Sequence, residues 1–234
     1  QIWRAHQRRL AAPPQNPHVC ALGMADDDAE EMSEIVEELQ KVWRNELFAP
    51  ELLQHQSVLV ERALQSVSDQ TDVVNELEET QSLTRALYEM EIERIQFVVR
   101  SLLRKRLNKI QQQALFILQD EETQNRLSDD ERTFLKGYYE LYQKHVDRST
   151  WETLEECAQL PPSVRGITSA ANKQNPLVVK PAVDGHVFCR VLHDCEPFSL
   201  GSSTQAVELF SNDIYLLPYR PIQQLVRDGS VQLI

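Results

Sequence analysis

Four side chains with metal-ligating chemistry crowd one short stretch, "HVFCRVLHDC": His186, Cys189, His193 and Cys195. Imidazole and thiolate are the donors of tetrahedral zinc sites, so a zinc set is the first chemistry to weigh. The spacing works against it. The stretch reads as a strand, and on a strand successive side chains face opposite ways. Cys189, Val191 and His193 then point to one side and His186 to the other, whereas four zinc ligands must converge, usually from two elements. Cys189 reads better as a small core residue. Nothing else in the chain suggests catalysis: there is no GxSxG, GxxxxGK[ST] or GxGxxG. The 6 histidines are dispersed, none beside a Ser or Cys at a recognisable spacing, and 6 glycines leave little for a phosphate cradle. The expectation is no enzyme, no cofactor and no metal.

A second grouping carries binding chemistry. "YEMEIERIQFVVRSLLRKRLNKI", residues 88–110, has Glu89, Glu91 and Glu93 at one end and Arg100, Arg104, Lys105, Arg106 and Lys109 at the other. On a helix Arg100 and Arg104 share a face, as do Lys105 and Lys109. Three readings compete. One is a solvated face with salt bridges to neighbouring acidic helices. Another is a partner interface, with arginine stems packed on a foreign helix and heads paired with carboxylates. The third is a grip on nucleic acid. Phe97 is the one aromatic interleaved with these cations, short of the stacking platform of single-strand binders. The formal charge of −12 over 234 residues also argues against a protein whose main task is coating DNA.

The elements that must position these residues fall into two classes. Composition, 41% hydrophobic and 26% charged, is that of ordinary globular material. No run of 18 apolar residues suggests a membrane span. Four cysteines without a paired rhythm fit free thiols in cytosol or nucleus. Residues 30–46 read as an amphipathic helix with Ile35, Val36, Leu39, Val42 and Trp43 on one face. Pro50 reads as the first turn of a second helix running to about Ser66. Residues 72–119 form a long helical region that at about 1.5 Å per residue would span about 72 Å, so a break is expected. A further helix follows Ser128, which with Glu131 makes a capping box; Leu135, Tyr138, Tyr139, Leu141 and Tyr142 form its packing face. Beyond the small polar stretch "GITSAANKQN" come short strands: "PLVVKPAV", "DGHVFCRVLHD", "AVELF", "DIYLLPY" and the terminal "DGSVQLI". A chain ending on Leu233-Ile234 should tie that end into the sheet.

The predicted fold class is therefore α+β, an N-terminal all-helical domain followed by a small β-rich one. Residues 1–29 read as a disordered leader, 30–150 as the helical domain, 151–176 as a linker and 177–234 as the β-rich domain. Within the leader, "MADDDAEEMSE" from Met24 looks like a true start and 1–23 like an upstream extension, with a transit peptide as the alternative.

Five fragments in order carry a family resemblance: "WRNELFAPELL", "MEIERIQFVVRSLLRKRLNKI", "LPPSV", "HVFCRV" and "GSVQLI". Together they resemble the Sld-five-type subunits of the GINS complex, over roughly residues 31–234 and most weakly in 111–130 and 196–212. The resemblance implies a non-catalytic subunit of a nuclear heterotetramer, with a helical A domain and then a β-rich B domain. It implies three sister Psf-type subunits as partners, and helices 72–119 and 128–148 pairing with the Psf-one type. Through the complex it implies the MCM ring and its Cdc-type co-activator, as part of the replicative helicase. The expected partner face comprises Trp43, Phe48, Met90, Arg94, Phe97, Arg100, Leu103, Arg104, Leu107, Val231, Leu233 and Ile234, with Leu107→Asp expected to block assembly. The acidic segment Asp26–Glu38, with Met32, Ile35, Val36 and Leu39 at groove-binding spacing, suggests a docking helix for a replisome hub or, more plainly, a leader into the first helix. A free-standing nucleic-acid-binding adaptor using residues 100–109 is the runner-up. A coiled-coil homodimer is weaker, because the apolar spacing drifts off heptads.

Overall fold

Leu39, Ile95 and Leu102 are at most 2% exposed, and each such burial contributes about 1.5–3 kcal/mol. They belong to a core in which α1 (Asp26–Phe48), α2 (Ser57–Glu76) and α3 (Ser82–Gln112) pack their apolar stripes together. The computed structural model describes residues 26–77, 81–146, 148–149, 178–193, 195–199 and 206–234. The expected leader through residue 25 and the whole of the expected linker lie outside them.

The second helix does not begin at Pro50. Residues 49–56 cross the helical domain as a non-helical strap, and α2 starts at Ser57. The physical reason is tertiary. Four successive strap carbonyls accept side-chain donors: Pro50 from Gln113, Glu51 from Lys109, Leu52 from Arg126 and Leu53 from Arg106. A helix would have claimed those carbonyls for its own amides. The long helical region is also divided. α2 extends to Glu76, α3 runs 31 residues, and at Gln113 (φ −109°, ψ 16°) the chain turns into α4 (Ala114–Gln119). A single turn, α5 (Glu121–Gln124), leads to α6 (Asp129–Val146).

α6 opens with the predicted capping box: Ser128 N–H donates to Glu131 Oε2 at 3.0 Å, and Glu131 N–H to Ser128 Oγ at 3.3 Å. Its packing face is narrower than expected. Leu135 is buried and Phe134, Tyr138 and Tyr142 stack in succession, but Leu141 is 68% exposed. The helix lies on a second core formed by Leu52, Ile110, Ile117, Leu127 and Leu135.

The C-terminal module contains a three-stranded antiparallel sheet in the order β4-β1-β5, with β1 at His186–Val191, β4 at Ile214–Pro218 and β5 at Val231–Leu233. A separate hairpin pairs β2 (Cys195–Ser199) with β3 (Ala206–Leu209). Its register shifts between Cys195 and Phe198, around Pro197, which has no N–H to give the ladder. The described part of "PLVVKPAV" is a loop closed by a turn, not a strand. Three elements were not anticipated: α5, β2 and α7 (Tyr219–Arg227), the last directly after β4. Pro221 is tolerated in its first turn, where amides have no intrahelical acceptor. Tyr219, Ile222 and Val226 of α7 pack on Cys189, Val191, Leu217, Val231 and Leu233 of the sheet. The fold is α+β, helical domain first and small β module second.

The two parts touch. Ala49 lies in the same core as the sheet, and the edge of β5 is closed by α1, whose Asn45 Oδ1 accepts Leu233 N–H at 2.9 Å. At Gly229 (φ 77°) the chain turns in a region L side chains rarely adopt, and the Gly229 carbonyl accepts from Lys41 Nζ at 3.1 Å.

Candidate partner-binding surface

The spacing Leu83, Leu87, Met90, Arg94, Phe97 alternates four and three residues, so these side chains fall on one stripe of α3. The stripe runs alongside the face that carries the buried Ile95, Val98, Val99 and Leu102. It is open: Leu83 is 75%, Met90 67% and Phe97 62% exposed. Trp43 of α1 supports its middle. The indole Nε1 donates to Ser101 Oγ at 2.9 Å, and the ring meets Phe97 edge-on with centroids 6.4 Å apart. Phe97 is thereby held outward rather than tucked in. Arg94 is tied along the helix to Glu91 at 3.0 Å. At the far end stands Arg104, exposed and without an ion pair among the described residues. Arg100 flanks it and bonds Gln96.

The basic cluster is split. Arg104 and Arg100 look outward, while Arg106 and Lys109 are only 4% and 5% exposed. Arg106 makes a bidentate contact to Glu131 at 2.7 and 2.9 Å, with Glu46 at 3.0 Å on its other side. Lys109 Nζ places its protons on the Glu46 carboxylate, the Glu46 carbonyl and the Glu51 carbonyl, at 2.6, 2.6 and 2.8 Å. Burial works against the Arg106 charge, but the Glu131 and Glu46 carboxylates outweigh it and raise its pKa. Burial likewise pushes Glu131 up, and the Arg106 hydrogen bond and charge bring it below the ordinary carboxylate value. For Lys109 burial wins over Glu46, and its pKa is lowered. Two of the five cations that suggested a binding patch, Arg106 and Lys109, are internal braces of the fold.

The remaining expected residues divide likewise. Phe48, at the end of α1, and Leu103, on the flank of α3, are exposed, and Ile234 is 40% exposed. Val231 and Leu233 are 0% exposed in the chain's own core, so any part they take in an interface is indirect. Leu107 is half-buried against Ile110, Ile117 and Leu135, so Leu107→Asp strains the chain's own packing as well as any contact outside it. The hub-docking helix needs correction: Ile35, Val36 and Leu39 are buried in the chain's first core with Met32 packed against it, leaving that face unavailable to a groove. Cys189 lies in the core at 0% exposure, while His186 and His193 are exposed. Cys195 lies on β2, and its side chain is outside what is described.

The site reading omitted Leu83 and Leu87, although they share the period of Met90 and Phe97. It also omitted a second open apolar face. Phe188 of β1 pairs across to Leu216 of β4, and with Ile214 these are 54–58% exposed on the outer side of the sheet. Alternation in "DIYLLPY" was the signal available.

Two family models match the chain. One, described as the GINS complex protein helical bundle domain, covers residues 61–150, and the other, the DNA replication complex GINS protein SLD5 C-terminus, covers 181–234. Curated relatives named DNA replication complex GINS protein SLD5 align over most of both chains. That of Arabidopsis thaliana is 29% identical over 218 residues, 91% of this chain and 96% of the relative. That of Rattus norvegicus is 30% identical over 90% and 95%. The Schizosaccharomyces pombe protein is 30% identical over 85% and 91%.

Proposed function

The chain belongs to the SLD5 family of DNA replication complex GINS proteins, and from that premise we propose that it is a non-catalytic structural subunit of a nuclear GINS heterotetramer. Its work is geometry and affinity. The observation that carries this reading is the open stripe of α3, where Leu83, Leu87, Met90 and Phe97 stand in solvent on a helix whose buried residues begin only at Ile95. Apolar surface of this kind marks an interaction site, and helix stripes of this spacing fit a partner helix. The partners are the three sister Psf-type subunits, with the Psf-one type against α3 and α6. Arg94, Arg100 and Arg104 at the stripe's margin select a partner with carboxylates there. Through the tetramer the chain contributes to the replicative helicase beside the MCM ring and the Cdc-type co-activator. The buried charges support a role without chemistry of its own, since Glu46, Glu131, Arg106 and Lys109 are all engaged with one another.

The test is the mass by light scattering of the chain alone and co-expressed with the three sister subunits. A 1:1:1:1 species is expected. A monodisperse chain that ignores them and binds single-stranded DNA with steep salt dependence would replace this reading with that of a nucleic-acid-binding adaptor.

A further inference from the structure

Glu51 is 5% exposed and sits in the strap between α1 and α2, where the helical domain meets the C-terminal module. Its carboxylate gathers donors from both sides. Arg126, between α5 and α6, donates at 2.8 Å. From α7, Tyr219 Oη donates at 2.8 Å, Gln223 Nε2 at 2.6 Å and Arg227 Nη2 at 3.2 Å. Three consecutive turns of one short helix thus converge on a single carboxylate of the other domain. Burial raises the Glu51 pKa, and the hydrogen bonds from Arg126, Gln223 and Tyr219 bring it below the ordinary value, so the carboxylate is charged at neutral pH. Burial and the Glu51 charge raise the Tyr219 pKa far, so its hydroxyl remains a donor. Meanwhile the Glu51 carbonyl accepts from Lys109, which joins this junction to the Glu46–Arg106–Glu131 network below.

We propose that Glu51 is a positioning residue that locks the C-terminal module onto the helical domain. The lock holds two separate apolar faces, the α3 stripe and the Phe188–Leu216 sheet face, in one fixed arrangement for the assembling subunits. The assembly part rests on the function proposed above; the lock does not. A buried carboxylate with four side-chain donors has one arrangement that satisfies all of them, so it specifies an orientation that the apolar contacts of Ala49 and Leu53 with the module do not. A chain whose two faces are already placed loses less conformational freedom on assembly than one whose module swings.

The experiment is amide hydrogen exchange, read by mass spectrometry, on the full chain as wild type, Glu51→Gln and Glu51→Ala. The expected result is at least tenfold faster exchange in α7 and at Leu233 in both variants, with amides of residues 95–102 in the α3 core unchanged. Unchanged exchange in α7 and β5 overturns the lock. So does an equal rise through the α3 core, which makes Glu51 a residue of general folding instead. Alongside, wild type and Glu51→Gln are titrated with the sister subunits, with assembly of the variant expected at least tenfold weaker. Equal assembly of wild type and a loosened variant overturns the assembly role. Failure of the wild type to assemble overturns the proposed function and leaves the exchange result to decide the lock.

Discussion

Arg104 stands exposed on α3, and Arg106, two residues on, is enclosed by Glu46 and Glu131. The sequence presents them as neighbours in one basic run, and their helical positions send them to different environments. Removing one partner from a buried ion pair strands the other in low dielectric, at a cost of about 3–5 kcal/mol. Arg106→Ala should therefore lower the unfolding temperature by on the order of 10 °C, measured by calorimetry. Arg104→Ala should leave stability within about 0.5 kcal/mol, as surface substitutions do. Equal effects would mean that the burial of Arg106 is not the source of its value. Lys for Arg at position 106 is not a conservative repair, since an ammonium lacks the planar fork that grips Glu131 at two points.

At the scale of elements, α3 is the working part: one side builds the core and another is left open. The double substitution Leu87→Asp and Met90→Asp puts two charges on the open stripe, where no packing in the chain is lost. Helical content by circular dichroism should be unchanged and recovery of the tetramer should fall at least tenfold in co-purification; undiminished recovery would exclude the stripe from the interface. This pair separates assembly from folding more cleanly than Leu107→Asp, because Leu107 leans on the chain's own second core. The strap between α1 and α2 teaches the opposite lesson. Pro50 sends a local signal for a helix start, and four side-chain donors brought from α3, the α3–α4 junction and the α5–α6 connection hold the backbone open instead.

For the whole molecule, the docking of two parts through charged groups makes stability pH-dependent. Glu51 and Glu131 both have folded pKa values lowered from the ordinary 4.5. A depressed carboxylate adds stability that is complete above its unfolded pKa and is lost as pH falls through the folded value. Urea midpoints should hold steady from pH 7 to about 5 and drop below about pH 4.5. Glu51→Gln should flatten part of that drop while starting from a lower midpoint at neutral pH, and a wild-type curve flat to pH 3 would contradict the role given to both groups. What was legible from the residues alone were the patterns that repeat locally. Helical period placed α1, α3 and α6, short β-branched and aromatic runs bounded by turn residues placed β1 and β4, and Ser128 with Glu131 marked a cap, since each of these is decided by neighbours within a few positions. The α+β order followed from the same patterns, and the family resemblance rested on five fragments in order along the chain. Only the tertiary structure decided that Arg106 and Lys109 turn inward, that Met32, Ile35, Val36 and Leu39 form core, that Pro50 begins no helix and that Glu51 joins the two parts. Each depends on partners up to 176 residues away along the chain, and no local pattern encodes which distant group will offer a buried charge its counter-charge.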